Sequence, residues 1–172
     1  MKLLFQGDSV TDCGRDRGRS DDSGAGYVSM IAAALRDTGG TILNRGVSGD
    51  RVAQLEARWH DDCLSLKPDA LTILIGINDV WRQFDSGLDL DLEVFELTYQ
   101  RLLDRALPSV GRIILMEPFL IPAAPAKKPM RPLLDAVIEI IRTIAHRNRL
   151  AYVPLDGLFA AACSDRTPSH WA

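Results

Sequence analysis

The alternation of short apolar runs with longer stretches of helical period constrains this chain more than any other feature. Strands that alternate with helices form a mainly parallel sheet with helices on both faces. Each apolar run is bounded by Gly, Pro, Asn or Asp, which is typical of strands. The predicted strands are Lys2–Phe5, Thr41–Leu43, Ala70–Ile75, Arg112–Met116 and Ala151–Val153.

Helices are predicted between these strands where apolar residues recur at steps of three and four. One stretch departs from the pattern: five prolines between Glu117 and Pro132 predict a long loop, since proline interrupts both helices and inner strands. The predicted helices are Tyr27–Asp37, Val52–Leu66, Leu92–Ala106 and Met130–Arg147.

Length and composition exclude several classes of protein. The chain has 172 residues, 47% hydrophobic and 25% charged, as expected for one folded domain. No apolar run approaches the roughly 18 residues of a membrane span. Three widely spaced cysteines without a CxxC pair argue against a disulfide framework or a zinc site and favour the cytoplasm. The net charge is −3 and the basic cluster Arg15–Arg19 is followed by Asp21 and Asp22, so no nucleic-acid partner is expected.

Polar residues follow the predicted strands where ligands bind in open α/β sheets, beyond the carboxyl ends. Gly7-Asp8-Ser9 follows the first strand, Asn44–Asp50 the second, and Gly76–Asp79 the third. The Ser9 hydroxyl, glycine amides and the Asn78 carboxamide are the parts of an acyl-transfer site. Singly, each is also an ordinary turn residue, and Gly-Asp-Ser also suits a turn that binds phosphate. The absence of GxSxG, GxGxxG and GxxxxGK motifs argues against a nucleophile elbow or a nucleotide-binding loop.

These three runs resemble the sequence blocks of the SGNH (GDSL-type) hydrolase family. Gly7–Asp12, Asn44–Gly49 and Gly76–Asp79 have the family's order and spacing and span nearly the whole chain. The resemblance implies a flavodoxin-like three-layer α/β/α sandwich with a five-stranded, mainly parallel sheet. It also implies a serine esterase that needs no metal or cofactor. Its implied nucleophile is Ser9, and its implied oxyanion donors are Gly46 N–H, the Asn78 side chain and Ser9 N–H.

A finer resemblance concerns the substrate. Gly76–Arg82 together with Asn44–Arg51 is similar to the intracellular bacterial acetylxylan-esterase-like branch, which removes acetyl groups from xylo-oligosaccharides. The implied partner is a small acyl ester or an acetylated saccharide, with Asp8, Trp81 and Arg82 beside it. Trp81 is expected to be a platform for a sugar ring, although packing over a helix start explains a tryptophan there equally well.

Two alternatives to this esterase stay open from the sequence. A lysophospholipase or thioesterase of the same family needs a long apolar groove, which Leu120 and Ile121 are suited to line. A non-catalytic carbohydrate-binding domain would keep the cavity without the general base.

The general base is missing from the sequence. The family places it in an Asp-x-x-His block near the carboxyl end, and the chain instead closes with Thr167–Ala172, which resembles the stretch before that block. We therefore expect a single domain, residues 1–172, that lacks the catalytic Asp and His and the last helix. Such a chain is expected to be a poor esterase with an uncovered apolar sheet face that favours homo-oligomers. His60, His146 and His170 lie in other contexts, and none is assigned the base role.

Overall fold

The predicted strands form one parallel sheet in the computed structural model, which describes residues 1–121 and 125–171. Neighbouring strands follow the order β2-β1-β3-β4-β5, and every pair is parallel. This is the flavodoxin-like order, so the predicted fold class is confirmed. The strands are β1 (Lys2–Gly7), β2 (Thr41–Asn44), β3 (Ala70–Leu74), β4 (Arg112–Met116) and β5 (Ala151–Val153).

The helices agree with the sequence pattern only in part. The predicted helix Val52–Leu66 is divided at Arg58, and neither α5 nor α8 is among the four predicted helices. The helices are α1 (Ser9–Asp12), α2 (Tyr27–Ala34), α3 (Val52–Ala57), α4 (Trp59–Asp62), α5 (Ile77–Asp85), α6 (Leu92–Ala106), α7 (Arg131–Arg147), α8 (Leu155–Asp165) and α9 (Pro168–Trp171), with 3₁₀ turns at Arg36–Thr38, Leu64–Leu66 and Pro125–Met130.

The proline-rich stretch was predicted as a loop throughout, and this is wrong for its second half. Pro125–Met130 forms a 3₁₀ helix, and α7 begins at Arg131 with Pro132 in its first turn. The first N–H groups of a helix have no intrahelical acceptor, so a proline there loses no hydrogen bond. Residues 122–124 of the predicted loop lie outside the described residues.

Most of the core lies against one face of the sheet. Leu71 and Ile73 of β3 and Leu115 of β4 are fully buried there, among side chains from α3 to α7. The indole Nε1 of Trp59 donates a hydrogen bond to the carbonyl of Leu102, 3.0 Å away, and so fastens α4 to α6. This face therefore holds α5, which carries Asn78, Trp81 and Arg82.

The opposite face of the sheet is covered less completely. Ile114 and Met116 alternate with core residues along β4, and both remain only half-buried, as does Val153 of β5. The chain also exposes 74% of Met30 and 55% of Leu158. Self-association through such a face stays a prediction. In the part of the chain that the structure describes, no helix is both long and apolar enough to cross a membrane.

A buried carboxylate joins the last elements of the fold. Glu117 follows β4 and is fully buried. It accepts hydrogen bonds from Arg142 Nε on α7 at 2.9 Å and from the hydroxyl of Tyr152 on β5 at 2.8 Å. It also accepts from the backbone N–H of Asp156, in the first turn of α8, at 2.9 Å. One side chain therefore fixes α7, β5 and α8 relative to β4.

We expect Glu117→Ala to lower the free energy of unfolding by about 3 kcal/mol, because it leaves the Tyr152 hydroxyl and a backbone N–H without their acceptor. The measurement is urea unfolding followed by circular dichroism. Glu139→Ala, which removes an exposed carboxylate on α7, is the matched control and should change stability by less than about 0.5 kcal/mol. Equal losses in the two variants would contradict the role given to Glu117.

Candidate active site

The turn after β1 presents Ser9 to solvent while burying its neighbour. Asp8 caps α1, its Oδ1 accepting the N–H of Val10 at 3.0 Å. Only 1% of Asp8 is exposed, whereas Ser9 is an exposed residue. The cap therefore fixes the start of α1 with the Ser9 hydroxyl accessible.

A cavity of about 420 Å³ lies at the carboxyl ends of the strands and brings most of the predicted site residues together. Its wall is completed by apolar residues that include Leu74, Phe119 and Trp171. Gly46 is not among the residues that line it. The predicted site residues that do line it are Asp8, Ser9, Asn78, Trp81 and Arg82.

Asn78 lies in the first turn of α5, with one side-chain N–H already engaged. Its Nδ2 donates a hydrogen bond to the carbonyl of Asp50 at 3.0 Å. A carboxamide nitrogen carries two N–H groups, so one remains for a substrate oxygen. The turn into α5 depends on Gly76, whose φ of +127° is one that other residues rarely adopt. Asn78 is therefore held in place with one side-chain N–H left over, and its oxyanion role stays a prediction.

Gly46 is used for packing in this structure. Its N–H donates to Oδ1 of Asn44 at 2.9 Å, and a Cβ at this position would lie only 2.3 Å from the backbone nitrogen of Asp12. The glycine therefore lets the loop after β2 touch α1. Its amide already has an acceptor, so the described contacts give no support to the predicted oxyanion role, which stays a prediction.

Gly49 is a candidate that the sequence analysis missed. It has a φ of +87°, and a Cβ there would lie 3.9 Å from Nη2 of Arg82. The next residue, Asp50, supplies the carbonyl that binds Asn78. Gly49 thus lies beside Arg82, which lines the cavity, and the hydrogen bonds of the described residues give its N–H no acceptor. The only signal in the sequence is that the block Asn44–Gly49 contains a second glycine. The sequence alone does not show which of the two glycines supplies the oxyanion donor.

Two buried carboxylates support the site. Asp79 accepts the N–H of Val52, the first residue of α3, with its two oxygens at 3.1 and 3.2 Å. Burial raises the pKa of Asp79 to about 7. Burial also raises the pKa of Asp8 to about 6, with a smaller contribution from the charge of Asp50. Both side chains hold backbone amides beside the cavity, so the predicted substrate-binding role of Asp8 stays a prediction.

Trp81 and Arg82 form the rim of the cavity. Trp81 is 38% exposed, and the ammonium of Lys127 lies 5.7 Å from its ring centroid, as in a cation–π contact. Arg82 forms an ion pair with Asp85 on the same helix. Trp81 therefore has an accessible ring face, while the guanidinium of Arg82 is partly engaged.

No histidine lines the cavity in the described ranges 1–121 and 125–171. His170 packs edge-on against Trp171, with ring centroids 4.8 Å apart, and Trp171 belongs to the cavity wall. His170 is therefore near the cavity, but its packing against Trp171 does not place it in a hydrogen bond with Ser9. It is not assigned the base role.

Comparison with known proteins identifies the class. The sequence profile of the GDSL-like lipase/acylhydrolase family matches residues 5–171. The chain belongs to this family and is by class a carboxylic-ester hydrolase. The resemblance carried by the three sequence blocks is thus confirmed.

Particular relatives extend the comparison. An acetylxylan esterase of Geobacillus stearothermophilus is 38% identical over 170 residues, which cover 92% of this chain and 77% of that protein. The crystal structure of Axe2, an acetylxylan esterase from the same organism, matches with a TM-score of 0.90 and 36% identity, covering 98% of this chain and 82% of that one. An α/β-hydrolase enzyme from the metagenome of Lake Arreo, Spain, matches with a TM-score of 0.89 and 35% identity, over 98% and 83% of the two chains.

We expect Asp79→Asn to make stability less dependent on pH. The folded-state pKa of about 7 lies above the ordinary 3.8, so the folded protein holds this proton more tightly and loses stability as pH rises through that window. Asparagine keeps an acceptor for Val52 without the charge. The advantage of the variant over the wild type should grow by on the order of 2 kcal/mol between about pH 4 and pH 8.

Urea unfolding at several pH values measures this difference. Asp37→Asn, which neutralises an exposed carboxylate, is the control and should show a flat difference. A flat difference for Asp79→Asn as well would show that burial does not raise this pKa.

Proposed function

We propose that this protein hydrolyses acetyl esters on short xylo-oligosaccharides through an acyl-enzyme on Ser9. The observation that carries the proposal is the presence of Ser9 and Asn78 in one cavity, one with a free hydroxyl and the other with a spare donor. The similarity to the Geobacillus acetylxylan esterase supports the acetylated saccharide as substrate. The unpaired state of the three cysteines supports a cytoplasmic setting.

The mechanism follows from these positions. A general base takes the proton of Ser9, and its Oγ attacks the acetyl carbonyl. The resulting oxyanion accepts hydrogen bonds from the free N–H of Asn78 and from backbone amides, for which we propose Ser9 and Gly49. The base then protonates the departing sugar oxygen, and water hydrolyses the acetyl-enzyme. This route uses no metal or cofactor.

The base itself is expected from the family's Asp-x-x-His block, which this sequence lacks. A histidine from that block would have to reach Ser9 at the open side of the cavity. Without a base, the oxyanion hole and substrate binding leave a residual acceleration of about 10³-fold over water. The chain is therefore expected to be slow until a base is supplied.

One observation favours the second candidate, an esterase for long acyl chains. A neighbouring cavity of about 490 Å³ shares Leu120, Ile121 and Lys127 with the first. Phe159 and Cys163 of α8 line its far side. A long acyl chain leaving the first cavity over Leu120 would have apolar surface to cover. Relative rates on p-nitrophenyl acetate and decanoate separate the two candidates, because the acetyl esterase prefers the shorter ester.

The test of the proposed function is acetate release from acetylated xylobiose. In the chain extended by an Asp-x-x-His block, we expect Ser9→Ala to lower the rate about 10³-fold, to the residual level that the oxyanion hole and binding provide. Asn78→Ala should lower kcat by about 10²-fold, because it removes one oxyanion donor. Ser65→Ala, which changes an exposed serine elsewhere, should match the wild type.

The same assays include the chain without this block, which should be slower by on the order of 10³-fold. An extended chain that is no faster would contradict the expected source of the base. Saccharide binding without Ser9-dependent turnover in either form would favour the non-catalytic alternative.

The proposed sugar platform has its own test. We expect Trp81→Ala to raise KM for acetylated xylobiose about tenfold, since an aromatic contact of about 1.4 kcal/mol is lost. The rate on p-nitrophenyl acetate, which has no sugar ring, should change less than about twofold by the same reasoning. Phe84→Ala, which removes an exposed ring on α5 outside the cavity wall, is the control. Equal changes on both substrates would show that Trp81 serves packing rather than sugar binding.

A further inference from the structure

We propose that a cavity lined by Arg15, Arg17 and Arg45 binds a small anion, either the carboxylate of an acidic sugar or inorganic phosphate. The cavity has a volume of about 370 Å³, within the range of about 300–1,000 Å³ typical of small-molecule sites. None of its described lining residues belongs to the cavity that contains Ser9. The site is therefore distinct from the proposed esterase site and does not depend on it.

Arg45 is the arginine of this cavity that pairs with no carboxylate among the described residues. Its Nη1 donates to the carbonyl of Asn44 at 3.1 Å. Among residues 1–121 and 125–171, no carboxylate oxygen lies within the 4.0 Å of an ion pair with it. Asp62 also lines the cavity, but its carboxylate pairs with Arg58 at 3.1 Å. Arg45 therefore keeps an uncompensated positive charge at the cavity wall.

Arg15 supplies a second cation whose position is fixed. Only 5% of its side chain is exposed, and its Nε and Nη2 both donate to the carbonyl of Gly46, at 3.1 and 3.0 Å. Asp12 is 3.8 Å away, too far for a hydrogen bond. Burial lowers the pKa of Arg15, and the nearby charges of Arg45 and Arg17 lower it further, while Asp12 opposes them. A bound anion would relieve this repulsion.

Arg17 is the least available of the three cations, and hydrogen bonds within its loop hold that loop in place. Its Nη2 pairs with Asp12 at 2.6 Å. Asp16 accepts the N–H of Gly18 at 2.9 Å, and Asp22 accepts the N–H of Asp16 at 2.7 Å. The loop is thus held by its own carboxylates, which turn toward its backbone amides. The cavity wall needs little ordering when a ligand arrives.

The chemistry of these side chains selects the ligand. A guanidinium presents planar pairs of N–H groups that match the oxygens of a carboxylate or a phosphate. The hydroxyl-bearing Ser20 also lines the cavity and adds a further donor. A carboxylated sugar and free phosphate share this anionic chemistry, and the experiment distinguishes them.

The test is calorimetric titration of the chain with sodium phosphate and with sodium glucuronate, at constant ionic strength maintained with chloride. Saturable binding is expected, with a Tm rise of about 4 °C at ten times Kd. Arg45→Gln should abolish both the heat and the Tm rise. Arg36→Gln, which removes an exposed arginine in a 3₁₀ turn, should bind like the wild type.

Further variants keep the result interpretable. Arg45→Lys retains the charge without the planar donor pair, so its Kd should rise about tenfold even where Arg45→Gln folds poorly. Ser9→Ala should bind the anion normally, which separates this site from the esterase. Tighter binding of glucuronate or of phosphate identifies the source of the anion. No saturable binding of either below about 10 mM, or unchanged binding by Arg45→Gln, would overturn the proposal.

Discussion

The guanidinium of Arg58 is the contact on which the arrangement of the site depends. It donates to the carboxylate of Asp50 at 2.7 Å, to Oε1 of Gln6 at 2.9 Å and to the carbonyl of Arg45 at 2.7 Å. A weaker bond of 3.3 Å reaches the carbonyl of Gly7. The side chain is only 17% exposed, so these bonds form in a poorly solvated region where an unpaired partner is costly. Arg58 thereby connects the end of β1 with the loop after β2, two segments that are far apart in the sequence.

The sheet was predictable because its signals are local. Each strand is a short apolar run with turn residues at both ends, and the predicted limits of β4 and β5 are the observed ones. The positions of Ser9 and Asn78 followed as well, because the carboxyl ends of parallel strands meet at one edge. Failures occurred where the local signal is weak. Helix α8 is rich in alanine, contains Gly157 and has no buried residue, so it lacks an apolar stripe.

The partners of polar side chains could not be predicted. Gly46 and Gly49 are three residues apart in one block, and they are distinguished only by the fold, in which Gly46 packs against α1 and its N–H has an acceptor. The sequence placed Glu117 at a strand end, but its partners Arg142 and Tyr152 come from elements far along the chain. Periodicity reports which face of an element is apolar. It carries no information on which distant amide or guanidinium a buried carboxylate will meet.

The strand order also has a consequence for how the protein is made. β1 leads into the turn that presents Ser9, yet it lies inside the sheet, between β2 and β3. During synthesis the amino-terminal segment emerges first, but one edge of β1 stays unpaired until Leu74 has left the ribosome, since Gly7 pairs with that residue. The first 40 residues therefore need a later strand, β3, before the turn at Ser9 can take its final form. In that interval an apolar strand edge is open to pairing with other chains.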